Sequence, residues 1–554
     1  MDPPIAAFIP TKVFNEESKV EVKDLSDLIA DAEVQDAILV YKQLEKGKVD
    51  IPVELKQSFL ELICFYNCEE PLDPDLVEER WFRQATRAKE RQRKTWKDHD
   101  LAEQLFNEIE PKDSRTFSAI IRGMCKYHQV EKAWATYNDA LSRNISLDAE
   151  VFNAILNVTH FLKESYELRW DLMMEVLKTM KSTKVDPNLG TLNACMSTVS
   201  FMGGRNARDY AIKILTEFTR VGIEPSLATW YFVLQTFCKE RGPVSHVLID
   251  ILNQIEGKEF HIQDFRDTSF FMSAMEICNQ HLNDKNLSKR VDALLHHGDN
   301  YNLIGDSFKE SVYYRNFFSL LVSSESLEVF METYHMLVPH VYIPEPGVVE
   351  EILKVVESSG AIEQVPLLWS HMILFDQNTR ENLLLMLTRI MIQNKPDPNF
   401  TQQEHLGEKF GAISFEMFSK IEERNESRSN PFVWTGKLLG DIITLICSVG
   451  DFDRAAAVFD KLSNNQQNIL GEPEISSMLD FAQLCIVKKQ PSKAINCLQY
   501  CADIGFPDTR DMAKSICKGF TLDEYQIKRV VYLVGNEVVD EAKEELTAER
   551  KEKI

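Results

Sequence analysis

Two phenylalanines, Phe117 and Phe152, stand 35 residues apart in matching phase, the first heading FSAIIRGMCKYH and the second FNAILNV. Between them run VEKAWATYNDAL and NISLD, a second apolar stretch and a polar junction. A period of this length narrows the possible folds sharply. Each unit is too short to bury its own apolar face, so successive units must cover one another.

The second stretch of each unit repeats an apolar triplet at i, i+4 and i+7. Ala133/Tyr137/Ala140, Met173/Leu177/Met180, Ala211/Leu215/Phe218, Phe330/Tyr334/Leu337, Val365/Trp369/Met372, Ala455/Phe459/Leu462 and Ala494/Leu498/Cys501 all show it. Those positions share one face of a helix. A single triplet describes any amphipathic helix; the argument rests on recurrence in phase. First-helix heads are expected at Phe117, Phe152, Leu192, Trp230, Phe270, Tyr314, Val349, Leu439 and Met478. Head to stripe is 16 residues for Phe117–Ala133, Tyr314–Phe330 and Val349–Val365, but 21 for Phe152–Met173 and 19 for Leu192–Ala211. The corresponding full repeats, Phe152–Leu192 and Leu192–Trp230, run 40 and 38 residues, the same excesses over 35. The insertions therefore belong in the turn between paired helices, where a helical array tolerates them.

The expectation is an all-α chain, a right-handed α-solenoid of helix-turn-helix repeats. It divides into an N-terminal helical segment with a partial repeat (1–100), a main array (101–372), an irregular insertion or hinge (373–430), C-terminal repeats (431–535) and a charged tail (536–554). Ala37/Tyr41/Leu44 is the stripe of the partial repeat, and the polar strings NKPDPNFTQQ and ERNESRSNP mark the break after 373. No apolar run approaches the roughly 20 residues that span a bilayer, so no membrane span is expected. The net charge of −24 opposes a chain that coats phosphates with its whole surface. RNA contact would need local basic patches or basic partners. The eleven cysteines are scattered as in a reducing compartment. Cys64/Cys68 and Cys497/Cys501 have helical i,i+4 spacing without a second pair or histidine cluster, which suits packing rather than zinc.

The aromatic head, the small residue and cysteine of GMCK, the Ala/Tyr pair of the second helix and the closing Asp resemble the pentatricopeptide repeat family. KVDPNLGTLN (184–193) and VGIEPSLATW (221–230) resemble that family's repeat junctions, with proline ahead of the next helix. The stretch before SRTFSAIIRGM, then VGIEPSLATW, then FKESVYYRNFFSLL are similar in order to a branch that belongs to the mitochondrial small ribosomal subunit. The resemblance implies a structural subunit in the mitochondrial matrix, supporting translation and messenger recruitment. Its implied partners are small-subunit ribosomal RNA, messenger RNA and neighbouring ribosomal proteins. A free RNA-processing or stability factor and a protein-only scaffold are the alternatives. The start, MDPPIAAFIP, lacks the Arg-rich amphipathic pattern of a transit peptide, as expected for a removed presequence, an incomplete start or a cytosolic chain.

In that family, the residue after the head works with the residue closing the repeat to read one base. The candidate pairs here are Ser118 with Asp148, Asn153 with Asn188, and Asn193 with Ser226; Tyr231, Phe271, Arg315 and Glu350 in later units do not suit the code. The same polar residues are good helix caps. A second candidate is RWFRQATRAKERQRKTWK, with Arg80, Arg83, Arg87, Lys89, Arg91, Arg93, Lys94 and Lys97 for phosphates and Trp81, Phe82 and Trp96 for stacking or packing. Phosphate loops, dinucleotide fingerprints and hydrolase elbows are missing from the sequence, His296–His297 reads as a helix-end pair, and neither catalysis nor a cofactor is expected.

Overall fold

The computed structural model describes residues 12–69, 95–239, 242–394, 396, 405–427 and 432–541. An isolated bridge between Thr435 and Leu470 is the β pairing present among the described residues; the rest of the regular structure is helical. The chain forms two compact units, residues 1–320 and 321–554. The first contains α1 (Val22–Ala30), α2 (Val34–Lys46), α3 (Val53–Phe65), α4 (Leu101–Glu108), α5 (Ser114–Lys126), α6 (Val130–Ser142), α7 (Ala149–Leu162) and α8 (Tyr166–Ser182). It continues with α9 (Leu189–Ser200), α10 (Gly204–Arg220), α11 (Leu227–Phe237), α12 (Val247–Ile255), α13 (Phe270–Glu276) and α14 (Lys285–Leu295). Helix α15 (Ser307–Ser324) carries the chain onward to α16 (Leu327–Leu337), α17 (Pro346–Ser359), α18 (Val365–Leu374), α19 (Glu381–Gln393) and α20 (Leu406–Ser427). Then follow α21 (Gly436–Val449), α22 (Phe452–Asn464), α23 (Ile475–Val487), α24 (Pro491–Ile504), α25 (Thr509–Gly519) and α26 (Glu524–Val534).

The helices pair and stack as the apolar period requires. First helices lie against first helices: α3, α5, α7, α9 and α11 in one unit, and α17, α19, α21 and α23 in the other. Phe117, Phe152, Leu192, Trp230, Val349, Leu439 and Met478 are each the fourth residue of their helix and at most 5% exposed. Each of these seven heads thus sits one turn in, where the preceding and following repeats close over it, whereas Phe270 is the first residue of α13 and Tyr314 the eighth of α15. The stripes Ala133/Tyr137/Ala140, Val365/Trp369/Met372 and Ala494/Leu498/Cys501 are buried throughout. Burying such side chains is the main stabilising term, at roughly 25 cal/mol per Å² of apolar surface.

One junction geometry recurs and explains the constant spacing from stripe to next head. Four residues after the last stripe position the backbone turns left-handed, at Lys48, Asn144, Lys184, Gly222, Asp376 and Gly505. The next amide then bonds back to the stripe residue's carbonyl: Val49 to Leu44, Ile145 to Ala140, Val185 to Met180, and Ile223 to Phe218, all within 3.0–3.1 Å. This closes the carbonyls left over at a helix end. Three residues later comes the next helix's N-cap.

The stretch 373–430, expected as an irregular insertion or hinge, contains the helices α19 and α20. Leu384 is the fully buried fourth residue of α19, 35 positions beyond Val349. Helix α20 buries Phe410, Met417 and Ile421. ENLLLMLTRIMIQ is apolar nearly all round, so its period is hard to see, and a polar string, NKPDPNFTQQ, follows it in sequence. Residues 395, 397–404 and 428–431 fall outside the described residues. The division at 320 falls within 101–372, where the period, from Tyr314 to Val349, runs on unbroken.

Candidate nucleic-acid interface

The candidate reading residues sit at the start of the first helices of residues 1–320. The residue after each head is fifth in its helix, and the residue closing a repeat is the N-cap of the next first helix. Asp148 caps α7, its carboxylate accepting the Val151 N–H at 2.9 Å. Asn188 caps α9 by accepting the Thr191 N–H at 3.0 Å, and Ser226 caps α11 in a reciprocal box with Thr229. Asp148 both holds its helix start and lines a groove.

These groups join into a ladder that crosses from repeat to repeat. The Thr191 hydroxyl donates to Asn153 Oδ1 at 2.7 Å, and Asn153 Nδ2 donates to Asn188 Oδ1 at 3.0 Å. Thr229 donates to Asn193 Oδ1 at 2.6 Å, and Asn193 Nδ2 reaches Ser226 Oγ at 3.4 Å. Two junctions before the first of these, Gln57 on α3 donates to the Thr116 hydroxyl at 3.2 Å, which donates to the cap Asp113 at 2.8 Å. Burial opposes ionisation of Asp113, but its bonds from Thr116 and Gln57 prevail and hold it below the usual carboxylate range. Gly190 makes the approach possible, since a Cβ there would stand 2.7 Å from Asn153 Nδ2.

Ser118 breaks the ladder. Its hydroxyl is buried without a hydrogen-bond partner, whereas Asn153 and Asn193 are tied to the next repeat. The cause is legible: the third residue of α7 is Val151, where α5, α9 and α11 carry Thr116, Thr191 and Thr229. The candidate pairs are thus unequal: Asn153 meets Asn188 and Asn193 meets Ser226, while Ser118 and Asp148 only share a groove. That groove, about 1030 Å³ across α5 and α7, is lined by Ser118, Ala119, Arg122, Asn153, Asn157 and Phe265 among others. Sequence periodicity missed the threonine ladder, whose signal is a Thr three residues after the caps Asp113, Asn188 and Ser226. It also missed Phe265, which arrives from an extended loop.

Of the basic run, Arg80, Arg83, Arg87, Lys89, Arg91, Arg93 and Lys94 lie outside the described residues, as do Trp81 and Phe82. Lys97 is exposed, with its amide bonded to Asn67 Oδ1. Trp96 packs within the protein, 4% exposed, donating its indole N–H to Glu103 at 2.9 Å. Burial pushes the Cys125 and Cys195 thiols up to about 12, so they are protonated at neutral pH and act as packing groups. Among the described residues no His, Cys, Asp and Glu group is placed to hold a metal, and no helix is long and apolar enough to cross a membrane.

Against known proteins, a family model described as small ribosomal subunit protein mS39, PPR, matches residues 1–129. Another, the pentacotripeptide-repeat region of PRORP, matches residues 107–248. Small ribosomal subunit protein mS39 of Drosophila melanogaster is 46% identical over 539 residues, covering 97% of this chain and 82% of that protein. The chain belongs to the mS39 family. The mS39 proteins of Danio rerio and Mus musculus are each 27% identical, over 94% and 95% of this chain and 79% and 77% of their own lengths. Membership of the mS39 family agrees with the all-α helical repeat structure.

Proposed function

We propose that the chain is a non-catalytic structural component of the mitochondrial small ribosomal subunit, located in the matrix, which contacts RNA along the inner face of its first helices. The 46% identity to the Drosophila mS39 protein over 97% of the chain carries this reading. The charge of −24 supports a chain held among basic ribosomal proteins, with RNA contact confined to local patches. Small-subunit ribosomal RNA, messenger RNA and adjacent ribosomal proteins are the proposed partners, and support of translation through messenger recruitment is the proposed role. The arginines and lysines at 80–97 are proposed phosphate contacts, and the three polar pairs a proposed base-facing track. Three pairs offer few bidentate contacts, each worth roughly 1–3 kcal/mol by analogy with DNA readout. That suits guidance of many messengers better than selection of one. The test is sedimentation of mitochondrial lysate: the chain is expected in the small-subunit peak. A chain that stays at the top of the gradient overturns the reading. Changing Arg83, Arg87, Arg91 and Arg93 to Glu is expected to weaken that association most at low salt.

A further inference from the structure

We propose that residues 257–266 form a strap that limits the inner-face track to two nucleotide positions and supplies Phe265 as a stacking wall for single-stranded RNA. The inference rests on the RNA-contacting reading above and concerns how the track ends.

The strap is a built element. Its Phe260 amide donates to Asn300 Oδ1 at 2.8 Å, and the buried Asn300 donates back to the Lys258 carbonyl at 2.9 Å. At its other end the Asp267 carboxylate gathers the amides of Ala228, Gln263 and Asp264 at 2.6–2.8 Å. Held this way, Asp264 accepts from Asn193 Nδ2 at 2.9 Å across 71 residues of chain. Phe265 follows it, 75% exposed, and lines the α5–α7 groove. The Arg266 guanidinium lies over its ring at 4.9 Å.

The three polar pairs therefore differ in what they have left to offer. Ser118 has its hydroxyl unclaimed. Asn153 gives one N–H to Asn188 and accepts once from Thr191, leaving one N–H and one lone pair. Asn193 has both N–H groups committed, to Asp264 and Ser226. All three side chains are buried, and their hydrogen-bonding capacity is uncommitted, half committed and fully committed on the N–H side in that order, Asp264 taking an N–H of Asn193.

What remains open matches the three parts of a nucleotide. An exposed aromatic ring takes a base face, Ser118 and Asn153 take a base edge, and Arg122 takes a phosphate. Arg122 is exposed and makes no ion pair among the described residues. The groove's four carboxylates each have a partner: Glu61 has Arg115 at 2.6 Å, Asp113 has Thr116, Asp148 has the Val151 amide, and Glu150 has Asn188 Nδ2 at 3.4 Å.

The experiment uses the full chain and a fluorescein-labelled 12-nucleotide single-stranded RNA pool at low salt, with sedimentation run in parallel. Phe265→Ala is expected to weaken binding roughly 5- to 100-fold, the range of a lost base–aromatic stack, and Phe265→Trp to retain it. Asp264→Ala leaves Asp267 and Asn300 holding the strap, and is expected to lengthen the nuclease-protected stretch by one nucleotide. Unchanged affinity in Phe265→Ala, or an unchanged footprint in Asp264→Ala, overturns the strap. A wild-type chain that sediments with the small subunit yet does not retain the pool means that the groove takes a protein segment; the strap proposal then falls and the ribosomal assignment stands.

Discussion

The first helices at 114–237 and those at 346–487, in separate units, are built on the same apolar pattern and differ at the residue after the head. In both, an apolar head sits fourth in the helix: Phe117, Phe152, Leu192 and Trp230 in one, Val349, Leu384, Leu439 and Met478 in the other. The next residue is Ser118, Asn153, Asn193 and then Tyr231 in the early repeats, but Glu350, Leu385, Gly440 and Leu479 later. The early set joins caps and threonines into a polar ladder. In the later set α21 packs closely at this position: a Cβ on Gly440 would stand 2.9 Å from the Pro473 side chain. The apolar stripe decides how repeats stack and is indifferent to the fifth position: Asn153 and Asn193 bond across to the next repeat, whereas Glu350 pairs with Lys354 on its own helix and Leu479 is exposed.

The largest effect on this contrast should come from the shared apolar pattern. Replacing Tyr137 and Ala140, 2% and 0% exposed, with Asp puts two unpaired charges into a dry stripe. A loss of about 4 kcal/mol or more is expected, because such burial is among the costliest substitutions. Hydrogen exchange should rise through α5 and α7 as well as α6; a rise confined to 116–148 would break the picture of mutually covering repeats.

Next is the close packing of the later repeats. At Gly436, in a helix with no polar ladder, a Cβ would lie 2.5 Å from the Glu472 carbonyl carbon and 2.6 Å from the Gly471 oxygen. Backbone cannot yield as a side chain can, so Gly436→Ala is expected to cost roughly 1–3 kcal/mol. Urea denaturation followed by exchange within 436–487 checks this, and a neutral result refutes the close approach.

The ladder itself predicts a smaller, asymmetric pattern. Thr191→Val strips Asn153 of its donor and should cost roughly 1–3 kcal/mol, while Ser118→Ala should lie within about 0.5 kcal/mol of wild type. Val151→Thr should make Ser118→Ala more costly than it is in wild type, by providing the missing rung. Equal costs for Thr191→Val and Ser118→Ala would remove the distinction between the pairs.

The smallest expected effect is in pH dependence. His160 is buried between Phe161 and Phe201 without a hydrogen bond to either ring nitrogen. Burial, and then the nearby Arg169 charge, push its pKa down to about 4 from an ordinary 6.5. Between those values the unfolded chain takes a proton that the folded chain refuses, so stability is lost as pH falls through that window. Melting temperature should drop less between pH 7 and pH 5 in His160→Phe than in wild type; equal drops would exclude His160 as the cause.

The heads, stripes and junctions were legible because burial imposes its period on residue types directly. The caps were legible too, since Asp148, Asn188 and Ser226 precede apolar runs at fixed spacing. The repeat holding Leu384 escaped notice because its first helix is apolar on nearly every face and a polar string follows it in sequence. His160 gave no signal, as a histidine at a helix end reads the same whether it is solvated or enclosed.

Sequence alone determined the helical repeat, its two-helix unit and the place where one repeat hands over to the next, because these depend on contacts a few residues apart. Relatedness to mS39 is likewise a property of the sequence. Only the tertiary structure decided which polar pair is open. Asn193 and Asp264 are 71 residues apart, Asn153 and Thr191 are 38, and their hydrogen bonds exist because stacked helices and a crossing loop bring them within about 3 Å. No local preference encodes a partner at such a distance; packing of the intervening repeats supplies it.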